Sequence, residues 1–399
     1  MDNKKYLLKC MDCGKAFFTE GEKSFYNSKG LTLPKRCKNC RDARKNKREQ
    51  AKHIRERQKQ EQQTAIFKKL VCHIEMRDII IKNPDSTLFV IGNGFDIIHG
   101  VRSSYYHFRD SMGKRSQLRI SLELGIKKED LWADFEDGLA YMNTEFFLKN
   151  VGFWMDTYDV KEEHDEDFSA ADFFLAAETA IEPLQTIQRE LPKKFRLWID
   201  TLQPSLGIKP LTDIIDKECR YINFNYTEFL ESLYGVPTDK ILYIHGNRQN
   251  KKDELILGHS SDAGEEYYED DLTKRVFPGD KMTQTLFDAQ ETASKYMGDY
   301  FDDTTKKIGT IIGKNADFFN SITNIETIIT IGHSLSPVDY PYFEEILNKN
   351  VNRTSVSWFI SWYSADDLER IRNFAEKMRI AESQIKLFTI GVNLRFLQG

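Results

Sequence analysis

No apolar run in the sequence is long enough to cross a bilayer, and the N-terminus lacks the apolar core and small-residue cleavage site of a secretory leader. A cytoplasmic protein with no membrane partner is expected. Excess positive charge is also missing. The 399 residues carry a net charge of -5 with a pI near 6.0, so any contact with nucleic acid must be local. Cysteine is scarce and uneven: of six, Cys10, Cys13, Cys37 and Cys40 form two Cys-x-x-Cys pairs, while Cys72 and Cys219 stand apart. In a reducing compartment that pattern favours metal over disulfide. No internal repeat or extended low-complexity segment is present. The common signatures fail too. Ile97 stands where the third glycine of a dinucleotide fingerprint belongs, no Walker lysine follows, and Gly332-His333-Ser334 lacks the Gly-x-Ser-x-Gly elbow of a serine hydrolase.

What is present suffices for a large core. Hydrophobic residues make up 40% and aromatics 12%, and the length points to two or three units. The first, residues 1–44, reads as a zinc ribbon. Cys13 and Cys37 are separated by 23 residues, room for a short hairpin carrying Phe17, Phe18, Phe25 and Tyr26. Four thiolates leave no position open for water or substrate, so the zinc is expected to be structural in a module too small to fold by burial alone. The second, residues 45–82, has cations in excess and reads as a long basic helix, free of Pro and Gly. It is a candidate grip for phosphates, a rigid spacer or an assembly arm.

The third, residues 83–399, is expected to be α/β. Six apolar runs, from Ser-Thr-Leu-Phe-Val-Ile at 86–91 to Gln-Ile-Lys-Leu-Phe-Thr-Ile at 384–390, alternate with stretches of helical period. Near-continuous apolar strands spaced by helices indicate a Rossmann-like parallel sheet covered on both faces, of the doubly wound type. The long interval after the first strand calls for a helical insertion over about 127–215. The acidic stretch Ser261–Asp271 reads as an exposed loop.

In such sheets ligands bind beyond the carboxyl ends of the strands. Polar residues follow four of the predicted strands there: Gly92, Asn93, Gly94 and Asp96; Asn223 and Asn225; His245; and Gly332, His333 and Ser334, with Asp339 a few residues on. Glycines allow close backbone approach to a phosphate, an amide can hold a ribose hydroxyl or a water, and an imidazole titrates near neutrality. Four such loops at four strand ends make nucleotide binding the expected role.

The stretches "IGNGFDIIHGVRSSYYHF", "LWADFE", "NFNYTEFLE", "IHGN" and "IGHSLSPVDYPYF" resemble the AbiH family of bacterial abortive-infection proteins over most of residues 87–399. This resemblance implies anti-phage defence, in which infected cells stop growing or die before phage is released, without implying a chemistry. The first 44 residues separately resemble a small bacterial zinc-binding module. The order of the four motifs is similar to that of the sirtuin-like NAD-consuming enzymes, which implies a pyrophosphate on Gly92 and Gly94, a nicotinamide ribose held by Asn225, and His245 as catalytic base. Thr227, where many such defence enzymes have Asp, departs from that pattern.

The function expected is therefore a nucleotide-binding effector that hydrolyses NAD, with Asp96 as electrostatic stabiliser or second base. The alternative is a nucleic-acid-binding sensor or an assembly component without NAD turnover, in which the zinc module and basic helix meet phage nucleic acid, another phage component, a partner protein or a second copy of the chain.

Overall fold

The computed structural model describes residues 6–260 and 284–391, and the acidic stretch Ser261–Asp271 lies outside them. The chain divides into two units, Met1–Lys69 and Leu70–Gly399.

In the first unit, strands β1 (Tyr6–Lys9) and β2 (Ala16–Thr19) pair antiparallel, and Cys10 and Cys13 lie in the turn between them. Thr19 then caps helix α1 (Glu20–Ser28): its hydroxyl accepts from the Glu22 amide, and the Glu22 carboxylate accepts from the Thr19 amide at 2.6 Å. Helix α2 (Lys38–Leu70) begins just after Cys37 and carries Cys40 in its first turn. The hairpin thus closes around the first cysteine pair instead of lying between the pairs, and the interval holds β2 and α1. Over 33 residues α2 has 12 Lys or Arg against 4 Asp or Glu. Its acids stand one turn after a cation, as in Lys45–Glu49, Lys52–Glu56 and Arg57–Glu61, a spacing that supports a solvated helix.

The second unit is built on a seven-stranded, wholly parallel sheet. In chain order it contains β3 (Cys72–His73), β4 (Thr87–Ile91), α3 (Asn93–Ile98), α4 (Tyr105–Met112), α5 (Gln117–Gly125), α6 (Thr144–Thr157), α7 (Ala170–Thr201), β5 (Arg220–Asn223), α8 (Phe229–Tyr234) and β6 (Ile241–Tyr243). After these come α9 (Gln284–Thr304), β7 (Thr327–Ile331), α10 (Tyr340–Lys349), β8 (Ser357–Ser361), α11 (Ala365–Met378) and β9 (Ile385–Phe388). The strand order is β3-β9-β8-β7-β4-β5-β6. All six predicted strands form. The two-residue edge strand β3, paired with Lys386 and Leu387, is too short to leave a periodic signal.

Thr87 to Ile91 are buried at every position, as a strand covered on both faces requires. The chain leaves β4 toward β5 and β6 on one side, then returns to pair β7 on the other, so the switch point lies between β4 and β7. Loops diverge there and open a crevice. Helices α4 to α7 fill the long connection before β5, and α9, from the connection after β6, packs against α6 and α7. The helical layer therefore begins earlier than residue 127 and draws on two connections. The last turns of α7, beyond Pro183 and Pro192, bring Phe195, Trp198 and Ile199 over the crevice.

Candidate functional site

The four cysteines of the first unit converge. One sulfur from each of Cys10, Cys13, Cys37 and Cys40 lies within 4.8 Å of all the others, and the Cys13 and Cys37 sulfurs are 3.7 Å apart. Zinc–sulfur bonds of about 2.3 Å in a tetrahedron set sulfur–sulfur edges near ~3.8 Å, so the donor set fits a closed structural zinc site. Asp12, beside the first pair, accepts from Arg36 and Arg44 at 2.8–3.0 Å and ties the hairpin turn to the second pair and to α2.

At the switch point of the second unit the glycine loop meets its counterpart across the crevice. The Gly94 amide donates to the Gly332 carbonyl at 2.8 Å, and the Gly92 amide donates to the Ile331 carbonyl at 3.0 Å. A Cβ on Gly94 would stand 2.5 Å from the Gly332 Cα, and Gly332 itself has φ +62. These glycines let the loops after β4 and β7 touch backbone to backbone.

On this base Asp96 is held as an acceptor. Asn225 Nδ2 donates to Asp96 Oδ1 at 3.0 Å and to the Gly92 carbonyl at 3.1 Å, and Thr227 Oγ1 donates to Asp96 Oδ2 at 2.7 Å. Asn223 Oδ1 accepts from the Asn225 amide at 2.9 Å and fixes the loop after β5. Burial pushes the Asp96 carboxyl up to about 7, against the opposing pull of Thr227, Arg248 and Asn225. Arg248 is itself engaged by both Glu228 oxygens at 2.7 Å.

Beside it a buried cation organises a second group of side chains. Lys306 Nζ pairs with Glu136, lies 3.7 Å from Asp339 Oδ1 and donates to His245 Nε2 at 3.3 Å. Burial opposes its charge, but the Glu136 and Asp339 carboxylates outweigh that and hold the ammonium above the ordinary lysine range. Burial, then Lys306 and His333, push His245 well below the usual imidazole value, so the ring is neutral with its Nε2 lone pair facing the ammonium. His333 is lowered to about 3 by burial and Lys306; its Nδ1 accepts from the Leu335 amide at 3.0 Å and its Nε2 lies 3.5 Å from Asp339 Oδ2. Asp339 is raised by burial, and among the described residues its buried Oδ1 has no hydrogen-bond partner, the Lys306 ammonium standing 3.7 Å away. Tyr105 donates to Glu136 at 2.5 Å.

Both groups border one cavity of about 380 Å³. Of the predicted residues, Gly92, Asn93, Asp96, Asn225, His245, Gly332, His333 and Ser334 line it, whereas Gly94 is spent on the loop contact. The cysteines form a centre in the other unit. Sequence reasoning missed Glu136, Tyr105 and Lys306. Glu136 ends the Leu-Trp-Ala-Asp-Phe-Glu stretch already noted, but Lys306 follows α9 without any pattern around it. Its place is set by a short bridge, in which the Lys306 amide donates to the His259 carbonyl at 2.8 Å.

Residues 6–49 match a family described as a probable treble clef domain, which agrees with cysteines in a hairpin turn and at the start of a helix. No curated protein and no solved structure matches the chain. Nothing in the matches supports the likeness to sirtuin-like enzymes. Among the described residues no helix is long and apolar enough to cross a membrane. Residues 88–362, more than half of the chain, with five of the seven strands of the sheet and the helical layer, match the family described as Bacteriophage abortive infection AbiH, and the protein therefore belongs to the AbiH family, with a treble-clef zinc module at its N-terminus.

Proposed function

We propose that the second unit is the effector of abortive infection, and that it binds NAD in the cavity at the switch point and hydrolyses it to nicotinamide and ADP-ribose. The observation that carries this reading is Asp96, a carboxyl in the cavity wall with a pKa of about 7 and both oxygens oriented by donors. A proton acceptor matched to neutral pH is what water activation needs. His245 is a weaker base and is occupied by Lys306, so the proton passes to Asp96 and His245 serves to position its neighbours.

The chemistry balances. When the C1′–N bond breaks, the bonding pair leaves with the ring nitrogen as neutral nicotinamide, and no acid is needed. Positive charge then builds on the ribose, in a cavity bordered by Asp96, Asp134, Glu136 and Asp339. Water adds to C1′ and its proton goes to Asp96. The test is nicotinamide release by the purified full-length protein and by its Asp96→Asn and Asn225→Ala variants. Release by the wild type alone supports the assignment, and equal release by all three refutes it.

A second reading rests on α2. Its excess of 12 cations over 4 acids, on a chain of net charge -5, suits a nucleic-acid contact that senses infection. Nucleic-acid affinity that persists unchanged from low to high salt would dismiss it.

A further inference from the structure

The cavity is electrically lopsided. Asp96, Glu136 and Asp339 lie around its interior, the two imidazoles there are neutral, and the one ammonium set behind them, Lys306, is paired with Glu136. Arg370, on α11, is the one Arg or Lys among the described residues that line the cavity, and its side chain is 47% exposed where Asp96 is 2% exposed. The gradient therefore runs from a cationic mouth to an acidic floor. The ion-pair partner of Arg370, Asp367 in the preceding turn, stands 4.0 Å away, beyond hydrogen-bond range. Asp134, which also lines the cavity and is half-exposed, is paired with Lys128 at 3.4 Å and is also under the influence of the Arg370 charge. Two hydroxyls from the loop after β7, Ser334 and Ser336, border the same cavity.

We propose that this mouth is a phosphate site: Arg370, with the Ser334 and Ser336 hydroxyls, holds the phosphate of a pyridine nucleotide whose cationic ring enters toward Asp96. The inference rests on the nucleotide reading above and narrows it to ligands that are cationic at one end and anionic at the other. A phosphate driven to the floor would meet three carboxyls against the single, already paired ammonium of Lys306, and a pyridinium left at the mouth would meet a guanidinium; only one orientation avoids both. The guanidinium contributes paired donors in a plane, the geometry that phosphate oxygens accept.

The test uses full-length protein, inorganic pyrophosphate and nicotinamide riboside as separate probes, with NAD as the complete ligand, all by titration calorimetry. In Arg370→Gln, affinity for pyrophosphate and for NAD should fall about 10- to 100-fold, as expected for loss of a charged hydrogen-bond pair, while affinity for the riboside is unchanged. Arg370→Lys should recover part of the loss, and Ser334→Ala with Ser336→Ala should lose less than Arg370→Gln. Equal pyrophosphate and NAD affinity in wild type and Arg370→Gln overturns the phosphate site while leaving riboside binding, and so the nucleotide reading, intact. Arg370-dependent pyrophosphate binding without any riboside binding upholds the anion site and removes the glycoside reading.

Discussion

Lys306 points its ammonium at His245, 3.3 Å from Nε2, inside a wall that also holds Glu136 and Asp339. Burial, and after it the Lys306 ammonium, keep the strand-end histidine neutral, and the group that titrates near pH 7 is the carboxyl of Asp96 on the neighbouring loop. A residue with no motif around it thus adds to burial in keeping one of two motif residues from taking up a proton.

Replacing Lys306 with Met should leave Glu136 and Asp339 buried without their cation, at a cost of about 3–5 kcal/mol. Urea unfolding should show that loss, and adding Glu136→Gln should return part of it because one uncompensated charge is removed. Full stability of Lys306→Met would mean that the ammonium is dispensable to the cluster.

Asp96 should make stability depend on pH in a definite direction. Its folded pKa of about 7 lies above the ordinary aspartate value of 3.8, so between these values the folded chain keeps a proton that the unfolded chain has lost. Its contribution is therefore fully present below about pH 4 and falls as pH rises through 7, by about 1.4 kcal/mol for each pH unit crossed between the two values. In Asp96→Asn an amide oxygen can accept from Asn225 and the amide nitrogen can donate to Thr227. Melting profiles of this variant should gain on the wild type at pH 8 but not at pH 4. Turnover, if it follows the ionised carboxylate, should rise through pH 7 in the wild type, and that limb should vanish in the variant.

Zinc removal should act on one unit. A strong chelator, or Cys40→Ser, should unfold the β1–β2 hairpin and α1, seen as loss of protection from hydrogen exchange over residues 6–37, while β4 and β7 keep theirs. Loss of protection in both units together would show that the metal stabilises the whole chain.

If α2 grips nucleic acid, reversing Arg55 and Arg57 to Glu should weaken binding uniformly across sequences and flatten the dependence on salt. Filter binding from 50 to 300 mM salt, on the order of the range over which counterion release is read, measures both. Binding that is sequence-selective and unaffected by the reversals would place the contact elsewhere.

Much of this was legible in the chain before its structure. Four cysteines in two pairs predict a zinc module, because thiolates at that spacing have one ion to share. Continuous apolar runs such as Thr87–Ile91 predict buried parallel strands, because only a sheet covered on both faces tolerates them. The strand-end polar residues Asp96, Asn225 and His245 do line one cavity, because parallel strands deliver their carboxyl ends to the same edge. The glycines were legible as a need for close approach, but the partner was not: Gly94 approaches Gly332 across the crevice.

The amino-acid sequence by itself determined the zinc ligands, the solvated basic helix and the strands, since each depends on local spacing, local charge or the period of apolar residues. Tertiary structure alone decided how the site is charged. Glu136 comes from the helical layer, Lys306 from the end of α9, Asp339 from the loop after β7 and Arg370 from α11. The proton affinities of Lys306 and Asp339 follow from burial and from partners far away in sequence, because electrostatic energy depends on distance and solvent exposure in space, which no residue carries in its own identity.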